Sequence, residues 1–145
     1  MVIVAAVDKS DRAAVVAEES EKLAEKFSDT IHVVHAAKRS TVIDSAFSDD
    51  SDVDPSDRPD SRLREEAKKP AEEVANSISV QHEVIGLVGE PAQKIVEYAD
   101  KKDARYIVVS PRKQSRTGKV LFGSTAQSIL LNSTCPVVSS IKPRY

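Results

Sequence analysis

The 145-residue chain has no tryptophan, one cysteine, four glycines and only 4% aromatic residues. Each shortage closes a class of function. With so few rings, a surface on which successive nucleic-acid bases stack is not expected. A single cysteine, Cys135, forms no intramolecular disulfide framework. No histidine lies near it in sequence, so it reads as a buried structural thiol and not a nucleophile. An excess of one charge is also missing: 21 basic against 23 acidic residues leave a formal net charge of −2, and no general attraction to nucleic acid or an anionic membrane follows. The apolar runs are strand-sized, far short of a bilayer span. The opening MVIVAAVDKS carries neither a basic leader nor a small-residue cleavage site. It reads as a core strand, which implies a cytoplasmic protein. His32, His35 and His82 have no partner at metal-ligand spacing, and the first two, three apart on a strand, point to opposite faces, so no metal site is expected.

What is present is an alternation of strand-like and helix-like segments. VIVAAV (2–7), TIHVVHAA (30–37), VQHEVIGL (80–87), ARYIVVS (104–110) and CPVVSSI (135–141) read as five strands. The third alternates more than the others, as an edge strand does. A first helix from about Asp11 to Phe27 places Ala14, Val15, Leu23 and Phe27 toward the core. A second, over 62–77, carries Leu63, Ala67, Val74, Ala75 and Ile78, and Pro70 within it is expected to kink or split it. A third begins at Pro91 and buries Ala92, Ile95, Val96 and Ala99. A fourth begins at Gly123 or Ser124 and carries Ala126, Ile129 and Leu130. Residues 38–60 hold seven aspartates and two prolines and read as a long, acidic, mobile loop. That loop lacks the central glycine and closing glutamate of an EF-hand, so calcium is not expected there. The whole is one α/β domain over 1–145: a Rossmann-like open sheet of five mostly parallel strands, order 3-2-1-4-5, with four helices on two faces.

Open parallel sheets bind ligands beyond the carboxyl ends of their strands, where the chain order reverses. Here that point lies between strands one and four, closed by Asp8 and Ser110. A carboxylate at this position accepts hydrogen bonds from ribose hydroxyls or an adenine amino group. The helix start at Gly123–Thr125 offers free amides and a positive dipole end to an anion, with Ser124 and Thr125 adding hydroxyls. Between them, SPRKQSRTGKVLFGST (110–125) carries Arg112, Lys113, Arg116 and Lys119. SRTGKV within it is not a P-loop, since the earlier glycine is missing and Val120 follows Lys119. Asp8 also fits a plain helix-capping role, and the four cations a solvated loop face.

The segments VIVAAVD, IHVVHA, VGEPAQKIVEYADKKDARYIVVS and FGSTAQSILLNSTCPVV resemble the universal stress protein family over nearly the whole chain. The last of them, a Gly-Ser helix start followed by an apolar helix and Cys-Pro-Val-Val, is the most specific. The resemblance implies a Rossmann-like fold, a homodimer joined through the C-terminal strand Pro136–Ile141 and, in one branch, binding of ATP or another adenine nucleotide, with magnesium only if ATP is bound. That branch's pattern G-x2-G-x9-G-(S/T) falls on Ser110, Lys113, Gly123 and Ser124, with the spacing kept and the first two glycines replaced. Asp8, the backbone near Ala36, a wall at Val88 or Gly89, and Ser124 and Thr125 are thereby implied as the nucleotide's contacts. Lys113 needs about 1–2 kcal/mol to take the left-handed backbone a glycine takes freely. Its side chain either fills the phosphate volume or neutralises the phosphate.

Catalysis has little support, since no Ser/His/Asp set, glutamate pair or metal motif stands out. The function expected is a dimeric stress-response module that binds an adenine nucleotide in a partly degenerate site, at most a weak ATPase. The alternative is a ligand-free scaffold that acts through protein contacts at the acidic loop or dimer surface.

Overall fold

The computed structural model describes residues 1–47, 60–111, 113–114 and 120–139. Its elements run β1 (Val2–Ala6), α1 (Arg12–Phe27), β2 (Thr30–Ala37), α2 (Arg39–Phe47), α3 (Asp60–Ala75), β3 (His82–Val88), α4 (Pro91–Lys101), β4 (Tyr106–Val109), β5 (Lys113–Gln114), β6 (Val120–Leu121), α5 (Ser124–Asn132) and β7 (Val137–Ser139). Five strands form one parallel sheet in the order β3-β2-β1-β4-β7, the order expected from sequence. β3 is an edge, as its alternation indicated.

The central strands are apolar on both faces because helices cover both. Ile3, Ala5, Ile31 and Val33 face α1 and α3, while Val4, Val34 and Ile107 face α4 and α5. Ile3, Ile31 and Ile107 are wholly excluded from solvent, and each such side chain contributes about 1.5–3 kcal/mol by leaving water. Buried Asp29 is held by the Met1 amino group at 2.9 Å and by Arg105 at 2.6 Å. The hydrogen bond from Arg105 holds the Asp29 carboxyl below the usual carboxylate range, and that from the Met1 amino group adds to it, against the cost of burial.

Several expectations change. There are five helices among the described residues, not four. Arg39–Phe47, expected as part of a loop over 38–60, is helix α2, because Val42 packs with Leu63 and Ala67 in a small third cluster flanked by Ile43. Asp60 opens α3, and 48–59 lie outside the described residues. Pro70 neither ends nor splits α3, which runs unbroken through it. In α1 the buried stripe is Ala13, Val16, Ala17, Ser20 and Ala24, shifted from the expected one, with Ala14 exposed and Phe27 at the rim. Ser20 tolerates burial because its hydroxyl donates to the Val16 carbonyl at 2.7 Å. On α5 only Ile129 is buried, while Leu130 and Leu131 are exposed. Cys135 is half-buried, not buried.

Candidate functional site

β1 and β4 are register neighbours, Ile3 opposite Tyr106 through Ala5 opposite Val108. Their continuations therefore emerge side by side at the carboxyl edge of the sheet. The connection after β1 enters α1 on one face, while those flanking β4 belong to α4 and α5 on the other. A gap opens between, and a cavity of about 190 Å³ occupies it. Val16, Ile95 and Ile129 give it apolar walls, and Asp8, Ser110 and Thr125 give it polar edges. Of the residues singled out from sequence, Asp8, Ala36, Ser110 and Thr125 thus share one cleft.

A second chamber, of about 590 Å³, adjoins the first and shares Asp8, His35, Ala36 and Pro91 with it. Thr41, Val42 and Ser45 of α2 and Ala67 and Pro70 of α3 close its far side. The unforeseen helix α2 is what makes this a chamber.

Asp8 is not the N-cap of α1; Asp11 stands there, making no side-chain cap bond. Instead Asp8 folds the turn before the helix. It accepts hydrogen bonds from the Ser10 amide (2.9 Å) and hydroxyl, and pairs with Arg12 at 3.1 Å. Partial burial pushes its carboxyl up, but the Ser10 hydroxyl and amide and the Arg12 guanidinium outweigh that, so it sits below its ordinary value and is ionised at neutral pH. Its side chain remains 56% exposed, leaving lone pairs for a ligand.

The α5 start lies at the other end. Gly123 is the N-cap and no side chain caps the helix, so the first-turn amides of Ser124, Thr125 and Ala126 have no intrahelical acceptor. Gly123 has φ −69°, a conformation open to any residue, so it is not there for backbone freedom. Lys113 corrects the expectation of a strained lysine: it lies in strand β5, antiparallel to β6, and the only non-glycine residues with positive φ among those described are Ser28 and Asp103. The expected phosphate loop is therefore framed by a short hairpin. Arg112, Arg116 and Lys119 lie outside the described residues.

Gly89 is not a wall of the cleft. It lines a separate cavity of about 510 Å³ with Lys94 and Tyr98, because its amide is tied to the Ala37 carbonyl at 2.9 Å. Its φ of 142° marks a turn that needs glycine.

His35, missed as a site residue, belongs to both chambers although it is 8% exposed. Its Nδ1 lies 2.7 Å from the Ala67 carbonyl oxygen. A carbonyl only accepts, so Nδ1 carries the proton. Burial lowers the His35 pKa. The Ala67 carbonyl pulls it back in part, and Lys9 and Asp8 act in opposite directions. The ring is neutral at pH 7. The available signal was a polar residue near the carboxyl end of an otherwise apolar strand.

Comparison with known proteins supports one family. The universal stress protein family matches residues 1–139. Universal stress protein YxiE of Bacillus subtilis is 31% identical over 140 residues, covering 92% of this chain and 93% of YxiE. A universal stress protein of Methanocaldococcus jannaschii is 35% identical over 80 residues, and this alignment spans 55% of the chain and about half, 47%, of that protein. A solved universal stress protein from Archaeoglobus fulgidus superposes with a TM-score of 0.67 at 31% identity, covering 96% of both chains. A structure described as the universal stress protein from Archaeoglobus fulgidus in complex with dAMP superposes at 0.54 with 25% identity, covering 96% of this chain and 95% of that one.

Proposed function

This chain belongs to the universal stress protein family, and from that premise we propose that its cleft binds an adenine nucleotide and that the protein acts as a nucleotide-responsive regulatory module. The observation that carries this reading is the convergence of Asp8, Ser110 and Thr125 on one cavity. Those three bring a carboxylate for ribose hydroxyls, a hydroxyl, and the first turn of an uncapped helix for a phosphate. The related Archaeoglobus fulgidus protein seen with dAMP supports the same ligand class.

ATP is the fullest form of this proposal. The two replaced glycines, Ser110 and Lys113, make the triphosphate end differ most from the family's ATP pattern, so AMP-type ligands are expected to bind at least as well as ATP. Magnesium would arrive with the triphosphate: among the described residues no group of three His, Cys, Asp or Glu is placed to hold a metal.

The proposal includes a homodimer paired through β7. This strand is a sheet edge, and Leu130 and Leu131 of the preceding helix are 41% and 85% exposed. An unpaired edge beside apolar side chains favours a second copy.

Isothermal titration of AMP, dAMP and ATP, with and without magnesium, tests the binding. Saturable binding of at least one adenine nucleotide, lost in Asp8→Ala, is expected. Heat of dilution alone for all of them would remove the reading.

A further inference from the structure

The cavity of about 510 Å³ that Gly89 lines has no residue in common with the two chambers beside Asp8. Its back wall is the end of β3, Leu87 to Gly89. The only sheet neighbour of β3 is β2. The Ile31 amide donates to the Gln81 carbonyl, and the Ala37 carbonyl accepts from the Gly89 amide. Backbone groups alternate sides along a strand, so Val88, one residue before Gly89, turns its own amide and carbonyl away from β2. Neither has a hydrogen-bond partner among the described residues.

Helices α3 and α4 cover opposite faces of the sheet, so the cavity has a rim on either side of the β3 edge. On α4, Lys94, Tyr98 and Lys101 share one helix face, four and three residues apart. Opposite them stand Arg39 at the start of α2 and Arg64 in α3. Four cations thus line the cavity against two carboxylates, Asp60 and Glu97. That is an excess of two positive charges in a chain whose net charge is −2. The carboxylates do not use it up. Arg39 pairs with Asp60 at 3.1 Å and Lys94 with Glu97 at 3.7 Å, all four side chains being exposed, and such pairs hold weakly. Arg64 and Lys101 have no hydrogen-bond or ion-pair partner among the described residues. The turn at Gly89 is shaped to Lys94: a Cβ on this residue would stand 2.6 Å from Cε of the lysine. Glycine there lets the lysine stem lie across the turn, along the cavity wall.

We propose that this cavity is a second ligand site, which takes a phosphomonoester on a small carbon skeleton. Such a group carries close to two negative charges at neutral pH and three acceptor oxygens. Its charge matches the excess on the walls, and its tetrahedral oxygens suit donors that approach from two rims. Arg64 brings a planar fork of donors from one side and Lys101 a point charge from the other. The unpaired Val88 amide adds a neutral donor at the back. Leu87, Val88 and the Tyr98 ring give the carbon skeleton an apolar wall. The volume falls within the usual range of roughly 300–1,000 Å³ for a small-molecule site. The site uses neither Asp8 nor the α5 start, so it stands independently of the nucleotide reading.

The test is a titration of the full chain followed by amide NMR, with glycerol 3-phosphate as the probe and glycerol and succinate beside it. Glycerol 3-phosphate is expected to move the amides of Val88, Gly89 and Lys101 saturably. Its dissociation constant should rise about 3- to 5-fold in Arg64→Gln and again in Lys101→Gln. Both side chains are exposed, so both variants are expected to keep the fold. Added salt should weaken the binding. Glycerol should move nothing, and succinate, a dianion without the tetrahedral group, should bind more weakly than the phosphate. Succinate binding as tightly would overturn the assignment to a phosphomonoester. Shifts confined to the amides of Asp8, Ser110 and Thr125 would send the phosphate to the nucleotide cleft and overturn the second site. So would a titration that ignores both substitutions, or one with no saturable shift. Failure of AMP to bind in the cleft would remove the nucleotide reading and leave this result standing.

Discussion

His32 and His35 leave the same strand three residues apart, and both are more than nine-tenths buried. They face opposite sides of the sheet and end in opposite circumstances. His32 lies under α4, where Tyr98 and Glu83 occupy both ring nitrogens. Glu83 accepts from Nε2–H at 2.7 Å, and the Tyr98 hydroxyl donates to Nδ1 at 2.6 Å. Burial, with the negative Glu83 adding to it, pushes the Tyr98 hydroxyl up to about 12, so it stays a donor across the working pH range. His35 has one nitrogen tied to Ala67, and the residue lines two chambers. A closed network fixes packing.

The sharpest way to break the comparison is to remove each ring. His32→Leu strands the Tyr98 hydroxyl under α4 and is expected to cost about 2–3 kcal/mol in a urea unfolding series. It should leave AMP binding unchanged. His35→Phe strands only the Ala67 carbonyl and should cost about 1–2 kcal/mol. If the stability losses came out alike, the two histidines would be equivalent.

Lowering the pH sharpens the contrast less strongly. Burial sets both histidines below their ordinary value; Glu83 partly offsets this at His32, and the Ala67 carbonyl at His35. A buried histidine with a lowered pKa is protonated first in the unfolded chain. Its stabilising effect is therefore complete above about pH 6.5 and is lost as the pH falls toward its folded value. The melting temperature should drop between pH 7 and pH 5, and the drop should shrink in the double substitution His32→Leu, His35→Phe. Tyr98→Phe removes one donor to His32 and is expected to cost about 1 kcal/mol. Smallest is Glu83→Gln: this side chain is 64% exposed, so a change below about 0.5 kcal/mol is expected, readable as a slight shift in urea midpoint.

The opposite facing of the two histidines was legible in the sequence, because strand geometry fixes it with a period of two. So were the strand order and the meeting of Asp8 with Ser110, which follow from alternating elements and a chain reversal. What each ring touches was not. Ala67 lies 32 residues from His35 and Tyr98 66 from His32, and a backbone carbonyl leaves no mark in a residue pattern. Helix α2 escaped because its two apolar anchors, Val42 and Ile43, sit at the head of an aspartate-rich run. The second chamber, which α2 encloses, was lost with it. Gly89 was assigned to the cleft from family pattern alone; the Ala37 carbonyl turns it toward a different cavity. Lys113 looked strained only because a glycine was expected there, and the strand position it takes, paired with Leu121, needs no left-handed backbone.

A crystal grown with AMP tests the central claim most directly. Density is expected in the cleft beside Asp8 and Ser110, reaching the amides of Ser124 and Thr125 at the α5 start. A nucleotide bound elsewhere on the surface, or an empty cleft in the presence of saturating AMP, would contradict it.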